Sequence, residues 1–413
     1  MNASQPTFVV VGAGLAGAKA AEALREEGFD GRLTLIGDEA ERPYERPPLS
    51  KDYLRGETDE KPYVHPEGFY AESEIELRTS TPVAELDPHG REVVLGDGER
   101  IGYDAVLLAT GAEPRRLGLP GADLDGVLYL RTVADSRAIG ERIDRRQRVV
   151  VIGSGWIGAE VAASAREKGS EVTMLEMAAL PLERVLGPEI GSVYLDIHRD
   201  HGVEFLPETT AARFEGDGAV ERVVTRDGAE IATECVVVGV GVSPRTGLAE
   251  AAGLAVEDGI LVDERLATAA PGVFAAGDVA NAQHPFYGRR LRVEHWANAL
   301  EEGPVAARAM LGHDSAYDAI PYFFSDQYDV GMEYSGYATS RDEVVFRGDV
   351  PGREFIAFWL DGGRVVAGMN VNVWEVSDPI RELIRSRREV DRTRLADPDV
   401  PLEALAAGTA TSR

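Results

Sequence analysis

Apolar runs and helical-period stretches alternate in a fixed order over the first two thirds of the chain. An apolar strand, a glycine turn, a helix with Ala, Leu or Val at helical spacing and a second strand occur in series, and the whole series occurs twice. The first copy opens Val9-Val10-Val11-Gly12-Ala13-Gly14-Leu15-Ala16-Gly17, the second Val150-Val151-Ile152-Gly153-Ser154-Gly155-Trp156-Ile157-Gly158. The pattern predicts helices over Ala18 to Glu27, closed by Gly28, and over Ala159 to Lys168, closed by Gly169. Tyr103 to Gly111 and Cys235 to Val240 read as further apolar strands, each closing its copy, with Pro114 to Pro120 as a connector between them. The second copy therefore looks inserted into the first. Thr268 to Asp278, a short apolar strand ending in Gly-Asp, marks the return of the chain. From Pro321 the period changes to two: Val344-Val345-Phe346 and Phe355-Ile356-Ala357-Phe358-Trp359 alternate with Gly and Asp turns and predict an antiparallel sheet. A last amphipathic helix is expected at about Pro379 to Glu389, followed by a partly ordered tail, Asp397 to Arg413.

Each glycine turn has a mechanical purpose. The first glycine permits a tight turn after the strand, the second lets backbone approach a pyrophosphate, and the third lets helix and strand pack closely. Phosphate oxygens then meet the N–H groups and positive pole of the following helix. Both second strands end in acid, Asp38 with Glu39 and then Glu176, where a ribose hydroxyl is normally held. Glu176 would accept from a 2′-hydroxyl and repel a 2′-phosphate. Met177-Ala178-Ala179 supplies no cation to reverse that preference, so NADH is favoured over NADPH. The expected fold class is α/β: two Rossmann-like dinucleotide-binding domains, one inserted in the other, plus an α+β C-terminal domain. Their boundaries are 1–117 with 246–320, 118–245, and 321–413.

Composition narrows the chemistry. A chain of 413 residues, 44% hydrophobic and 28% charged, has room for two or three well-cored domains. No apolar stretch approaches the ~18 residues of a membrane span, and no basic leader precedes the first strand, so a cytoplasmic protein is expected. A formal charge of −28 argues against nucleic acid as a partner. The lone Cys235 lies in an apolar strand and has no second cysteine with which to form a redox pair. The seven histidines (65, 89, 198, 201, 284, 295 and 313) are scattered and expected at the surface, and His198 with His201 lacks a third ligand, so no metal is expected.

Beside the two fingerprints stand Arg42-Pro43-Tyr44-Glu45-Arg46-Pro47-Pro48-Leu49-Ser50-Lys51, Ala109-Thr110-Gly111, Ala276-Gly277-Asp278 and Phe324-Ser325-Asp326-Gln327. With these motifs nearly the whole chain resembles the NADH-dependent ferredoxin reductases that serve bacterial oxygenases. The resemblance implies FAD in the first site, against Gly12, Gly14, Leu15, Ala16, Gly17, Val83, Ala109, Thr110, Gly111, Gly277 and Asp278. Asp38 or Glu39 would hold the adenosine ribose, with Arg46 near the pyrophosphate. It implies NADH in the second site, against Gly153, Gly155, Trp156, Ile157, Gly158, Glu160, Glu176, Arg184, Gly239, Val240 and Gly241. Lys51 would lie beside flavin N5, paired with Glu160, and Ser50 would cap a helix from Lys51 to Arg55. Arg131 matches a flavin-contacting position, where an interdomain salt bridge is the plainer alternative. Glu294, His295 and Trp296 precede a helix expected to aim its N-terminus at the flavin edge on which reduction builds negative charge; for Trp296 the alternative is packing at a domain interface. Where that family often has Trp, this chain has Tyr322 and Phe324, which puts its route of electron exit in doubt.

What the resemblance implies about activity is hydride transfer from NADH to FAD, then single-electron delivery to an iron–sulfur ferredoxin feeding a haem-thiolate monooxygenase or a Rieske dioxygenase. An acidic ferredoxin would be repelled by the average charge, so docking should use local cations: Arg289, Arg290 and Arg292, with Arg381, Arg385, Arg387 and Arg388. A monomer or homodimer fits equally. Two rivals stand beside this reading: an NADH oxidase or dye reductase without a protein acceptor, and an NADH-sensing interaction protein like apoptosis-inducing factor, a family that shares the Pro-Pro-Leu-Ser-Lys element.

Overall fold

A computed structural model describes residues 5–339 and 343–407. Its contacts gather these residues into two compact units: residues up to 46, 61–113 and 242–319 form one, and residues 47–60, 114–241 and 320 onward form the other. Each contains a nucleotide-type sheet.

In the first unit the parallel sheet runs in the order Val273–Ala275, Ala105–Leu108, Thr7–Val11, Arg32–Ile36, Ile75–Arg78. Its strands are nearly continuous apolar runs because both faces are covered, and Val10, paired with Leu35 on one side and Leu107 on the other, is fully buried. Where the chain leaves this unit and where it re-enters lie side by side: the Arg245 amide donates to the Gly111 carbonyl, and the Thr110 hydroxyl donates to the Arg245 carbonyl at 2.9 Å. The helices Leu15–Glu26 and Trp296–Met310 press together at Gly303, where a Cβ would stand 2.6 Å from the Ala16 carbonyl oxygen.

The second unit repeats the theme with the parallel order Glu204–Leu206, Val172–Leu175, Val149–Ile152, Cys235–Val238, Val127–Tyr129. It also holds an antiparallel five-stranded sheet, Tyr322–Gln327, Val330–Gly336, Arg364–Val371, Glu354–Asp361, Glu343–Asp349 in spatial order. One face of that sheet, carrying Met332, Phe355 and Trp359, shares an apolar cluster with Leu186, Ile190, Tyr194 and Ile197 from the helices Glu183–Leu186 and Pro188–Asp200. The antiparallel sheet thus shares its core with two helices of the second nucleotide fold.

Several expected details are corrected. The fingerprint helices begin at Leu15 and Trp156, three residues earlier than their apolar period suggests, because Gly14 and Gly155 are extended caps and the third glycine lies inside the first turn. No helix spans Lys51 to Arg55: Pro47–Ser50 makes one 3-10 turn, and the Ser50 hydroxyl donates to Glu160 instead of capping the chain ahead of it. The late helix is Ser377–Ser386, ended by Arg387 in the left-handed region, and Leu402–Ala407 is helical within the expected tail, whose residues 408–413 lie outside the described residues. Three histidines are buried, not exposed: His65, His198 and His284. Burial pushes His198 down to about 4, so it is neutral at pH 7. Among the described residues no helix is long and apolar enough to cross a membrane.

Candidate functional site

The first unit brings three sequence motifs to one place. Gly12, at φ +116°, lies so close to the Ala109-Thr110 backbone that a Cβ would sit 2.0 Å from the Ala109 carbonyl oxygen. Gly17 packs on Gly12 with equal tightness, its would-be Cβ 2.0 Å from the Gly12 carbonyl oxygen. Gly277 stands against Ala16, which draws Gly277-Asp278 onto the same helix start. Gly14 is different: a Cβ there would meet nothing within 4 Å. The helix beyond it has neither a side-chain cap nor an acid in its first turn, so its leading amides are left facing open space. Such a cradle fits a dinucleotide pyrophosphate.

Around this cradle the polar groups are already engaged. Asp38 pairs with Arg245 at 2.7 Å; burial works to raise its carboxyl, but the Arg245 hydrogen bond and charge outweigh it and hold the group below the usual carboxylate range. Glu39 accepts from Arg46 at 2.7 Å and from the Tyr44 hydroxyl. Burial works against the Arg46 charge, yet Tyr44, Glu39 and Asp278 outweigh it and raise the guanidinium. Burial pushes His295 down to about 4, with Asp278 pulling the other way. Glu294 pairs with Arg292 at 2.5 Å, Trp296 is the first residue of its helix, not the residue before it, and Val83 is half-buried at the start of its strand.

The second unit builds the same cradle. A Cβ on Gly153 would lie 2.4 Å from the Gly239 carbonyl oxygen and one on Gly158 2.0 Å from that of Gly153, while Gly155 faces open space. The helix Trp156–Glu167 again lacks a side-chain cap and a first-turn acid. Three donors fix the Glu176 carboxylate: the Ser154 amide at 2.8 Å, the Ser154 hydroxyl at 2.7 Å and the Ala178 amide at 2.9 Å. Arg184 is exposed, and Ile157, Met177 and Val185 remain 44%, 58% and 48% exposed although large and apolar. The Trp156 side chain does not belong with them. It packs edge-on against Tyr194 and Phe323 and is partly buried. Arg131 precedes the helix Val133–Asp144 and donates its amide to Asp135.

Glu160, in the first turns of the second fingerprint helix, is buried and ion-paired with Lys51 at 2.9 Å. Two hydroxyls complete its shell: Ser50 Oγ donates to Oε2 at 2.5 Å and Ser325 Oγ to Oε1 at 2.7 Å, with the Gln327 amide donating to Ser325 in turn. Lys51 also donates to the Pro47 carbonyl and lies 5.5 Å from the centre of the Phe324 ring. The sequence offered Ser325 only as a letter in a motif; its bond to Glu160 spans 165 positions and leaves no local signature. Cys235 is buried, its thiol pushed up to about 12 by burial.

Of the cations expected to dock a partner, Arg292 is committed to Asp258 and Glu294 with a side chain only 10% exposed. Arg290 donates to the Val262 and Asn281 carbonyls, and Arg388 to the Ala406 and Ala407 carbonyls.

Two dinucleotide cradles beside an inert thiol define an oxidoreductase of the two-nucleotide class, working without a dithiol. The pyridine nucleotide-disulphide oxidoreductase model matches residues 6–303, and a reductase C-terminal model matches 322–406. The chain belongs to the pyridine nucleotide-disulphide oxidoreductase family. Its similarity runs full length to putidaredoxin reductase of Pseudomonas putida, 36% identical over 98% of both chains. The ferredoxin–NAD(+) reductase component of the anthranilate 1,2-dioxygenase system of Burkholderia cepacia is 39% identical over 97% of this chain and 100% of its own. Among solved structures, the ferredoxin reductase for the CYP199A2 system of Rhodopseudomonas palustris superposes with a TM-score of 0.93 at 38% identity, covering 97% of this chain and 99% of that one. The covalent putidaredoxin reductase–putidaredoxin complex gives 0.94 at 36%, covering 98% and 99%. The family brings FAD and NADH as cofactors.

Removing Lys51 leaves a buried carboxylate without its cation. Lys51→Ala should cost about 3–5 kcal/mol of stability, and Lys51→Met combined with Glu160→Leu should recover most of it. Urea unfolding of wild type, Lys51→Ala and the double variant measures this; a Lys51→Ala midpoint equal to wild type would show the pair to be energetically idle.

Proposed function

We propose that the protein is an NADH-dependent ferredoxin reductase that passes electrons singly to an iron–sulfur ferredoxin supplying an oxygenase. The observation that carries this reading is the buried pair of Lys51 with Glu160 of the second fingerprint helix, in a chain whose lone cysteine is buried. In this reading residues 1–117 with 246–320 form the FAD domain, 118–245 the NADH domain and 321–413 the C-terminal domain. Gly12, Gly14, Gly17, the Ala109–Gly111 turn and Gly277-Asp278 hold FAD, with Arg46 supplying positive charge. Gly153, Gly155, Gly158, Glu176 and Gly239–Gly241 hold NADH. Bound FAD supplies the chemistry, taking two electrons together as hydride from NADH and releasing them one at a time.

The chain's own residues supply alignment and charge. Glu176, its carboxylate oriented by three donors, accepts from the ribose 2′-hydroxyl and repels a 2′-phosphate. Glu160 keeps Lys51 from swinging, and Ser50 and Ser325 keep Glu160 from turning away, so one positive charge stays fixed where negative charge builds on reduction. Lys51 thus serves the flavin reaction and Glu160 orients it.

Ferredoxin docking falls to Arg289, Arg290, Arg292, Arg387 and Arg388, of which Arg290, Arg292 and Arg388 also bond within the fold. The cytoplasmic location expected from the sequence belongs to the same reading.

The test is cytochrome c reduction by the purified flavoprotein with NADH, with and without a 2Fe–2S ferredoxin. Ferredoxin should accelerate turnover by an order of magnitude or more; indifference to it would move the assignment to an NADH oxidase. In the same assay Glu176→Ala should narrow the preference for NADH over NADPH by roughly tenfold, the worth of one charge-assisted hydrogen bond. An unchanged preference would remove Glu176 from the ribose site.

A further inference from the structure

Glu302 lies in the helix Trp296–Met310, is 1% exposed, and has no cation among its partners in the described residues. Its Oε2 accepts from the Gly277 amide at 2.6 Å. The groups facing it are the Asn298 side chain, the Asp278 carboxylate and Tyr317, itself buried with its hydroxyl on Asn298; on the neighbouring helix, Lys19 is turned to Glu22 at 2.6 Å. In the sequence Glu302 reads only as the second acid of Glu301-Glu302 on a helix face.

The placement is specific. Gly277, at φ +78°, stands against Ala16, and Gly303, next to Glu302, is pressed on the Ala16 carbonyl. One helix turn therefore grips both halves of the first cradle. Resting on the assignment of FAD to that cradle, we propose that Glu302 is a positioning residue for the flavin, its carboxyl bracing the Gly277-Asp278 main chain and its protonation state setting how tightly that turn holds the cofactor.

The physical case has two parts. A hydrogen bond from a buried glycine amide fixes the turn only while an acceptor is present, and loss of that acceptor strands the amide. A second carboxylate beside Asp278 is unfavourable where a pyrophosphate must also sit, with Arg46 offsetting part of the Asp278 charge. Burial pushes Glu302 up to about 8, against the pull of Gly277 and Asn298, with Asp278 adding to the rise. Below that value the acid is neutral; above it a buried negative charge appears at the cradle. The folded chain keeps a proton that the unfolded chain releases from about 4.5 upward, so this group's contribution to stability falls as pH rises from 4.5 to about 8 and is level above that.

The experiment uses the holoprotein and the variants Glu302→Gln and Glu302→Ala, with FAD release followed by flavin fluorescence from about pH 6 to about pH 10. In wild type the FAD dissociation constant should rise roughly threefold or more through about pH 8. Glu302→Gln, which keeps an acceptor but cannot ionise, should hold flavin with a flat profile, and its melting temperature should not fall over that range as wild type's does. Glu302→Ala should release FAD about fivefold more readily at every pH, the worth of one hydrogen bond. The inference is overturned if Glu302→Gln keeps the wild-type pH dependence, a comparison that stands even if Glu302→Ala does not fold. A wild-type protein that takes up no flavin would overturn the assigned function itself, which is a different result.

Discussion

Two helix starts govern this molecule. Leu15–Glu26 and Trp156–Glu167 each begin on a glycine that supplies no capping side chain, and neither carries an acid in its first turn. Two other helices meet that demand from within, Val133–Asp144 through Thr132 and Asp135 reciprocally and Arg392–Ala396 through Asp391. Leaving the positive pole open costs stability, and the cost is sensible only where an anionic ligand completes it. The surrounding order follows from that requirement: tight glycines at 12, 17, 153 and 158 that admit no side chain, and open ones at 14 and 155.

The second organising feature is a buried charge pair in place of a dithiol. With a single cysteine, buried and held in its thiol form, the chain has no sulfur route for electrons. What it buries instead is the Lys51–Glu160 ion pair, enclosed by two serine hydroxyls. Such pairs are not efficient stabilisers, since desolvation offsets most of their attraction. Their value is geometric: a cation that cannot move is useful where charge develops during reaction. The antiparallel sheet contributes to this through Ser325, so the C-terminal region does more than cover a surface.

Much of the fold was legible because it rests on local rules. Glycine spacing after an apolar strand, the return strand at Val273–Ala275 and the change of period beyond Pro321 each leave a signature within about ten residues. What escaped the sequence depends on distant partners. The start of each fingerprint helix was misplaced because extended Gly14 and Gly155 push helical geometry ahead of the apolar period. Trp156 turned inward toward Tyr194 and Phe323, residues 38 and 167 positions away by number, and Arg292 was withdrawn by Asp258 and Glu294. Glu302 went unremarked in the sequence because nothing in its neighbourhood announces that the helix face lies against Gly277.

The account stands or falls on two nucleotides exchanging a hydride on this chain. Anaerobic titration of the purified protein with NADH, watching the yellow flavin absorbance, tests that directly. One molar equivalent of NADH per flavin should bleach it, while NADPH at the same level should leave most of the colour. A colourless protein that takes up no FAD, or a flavoprotein that NADH does not reduce, would contradict the account.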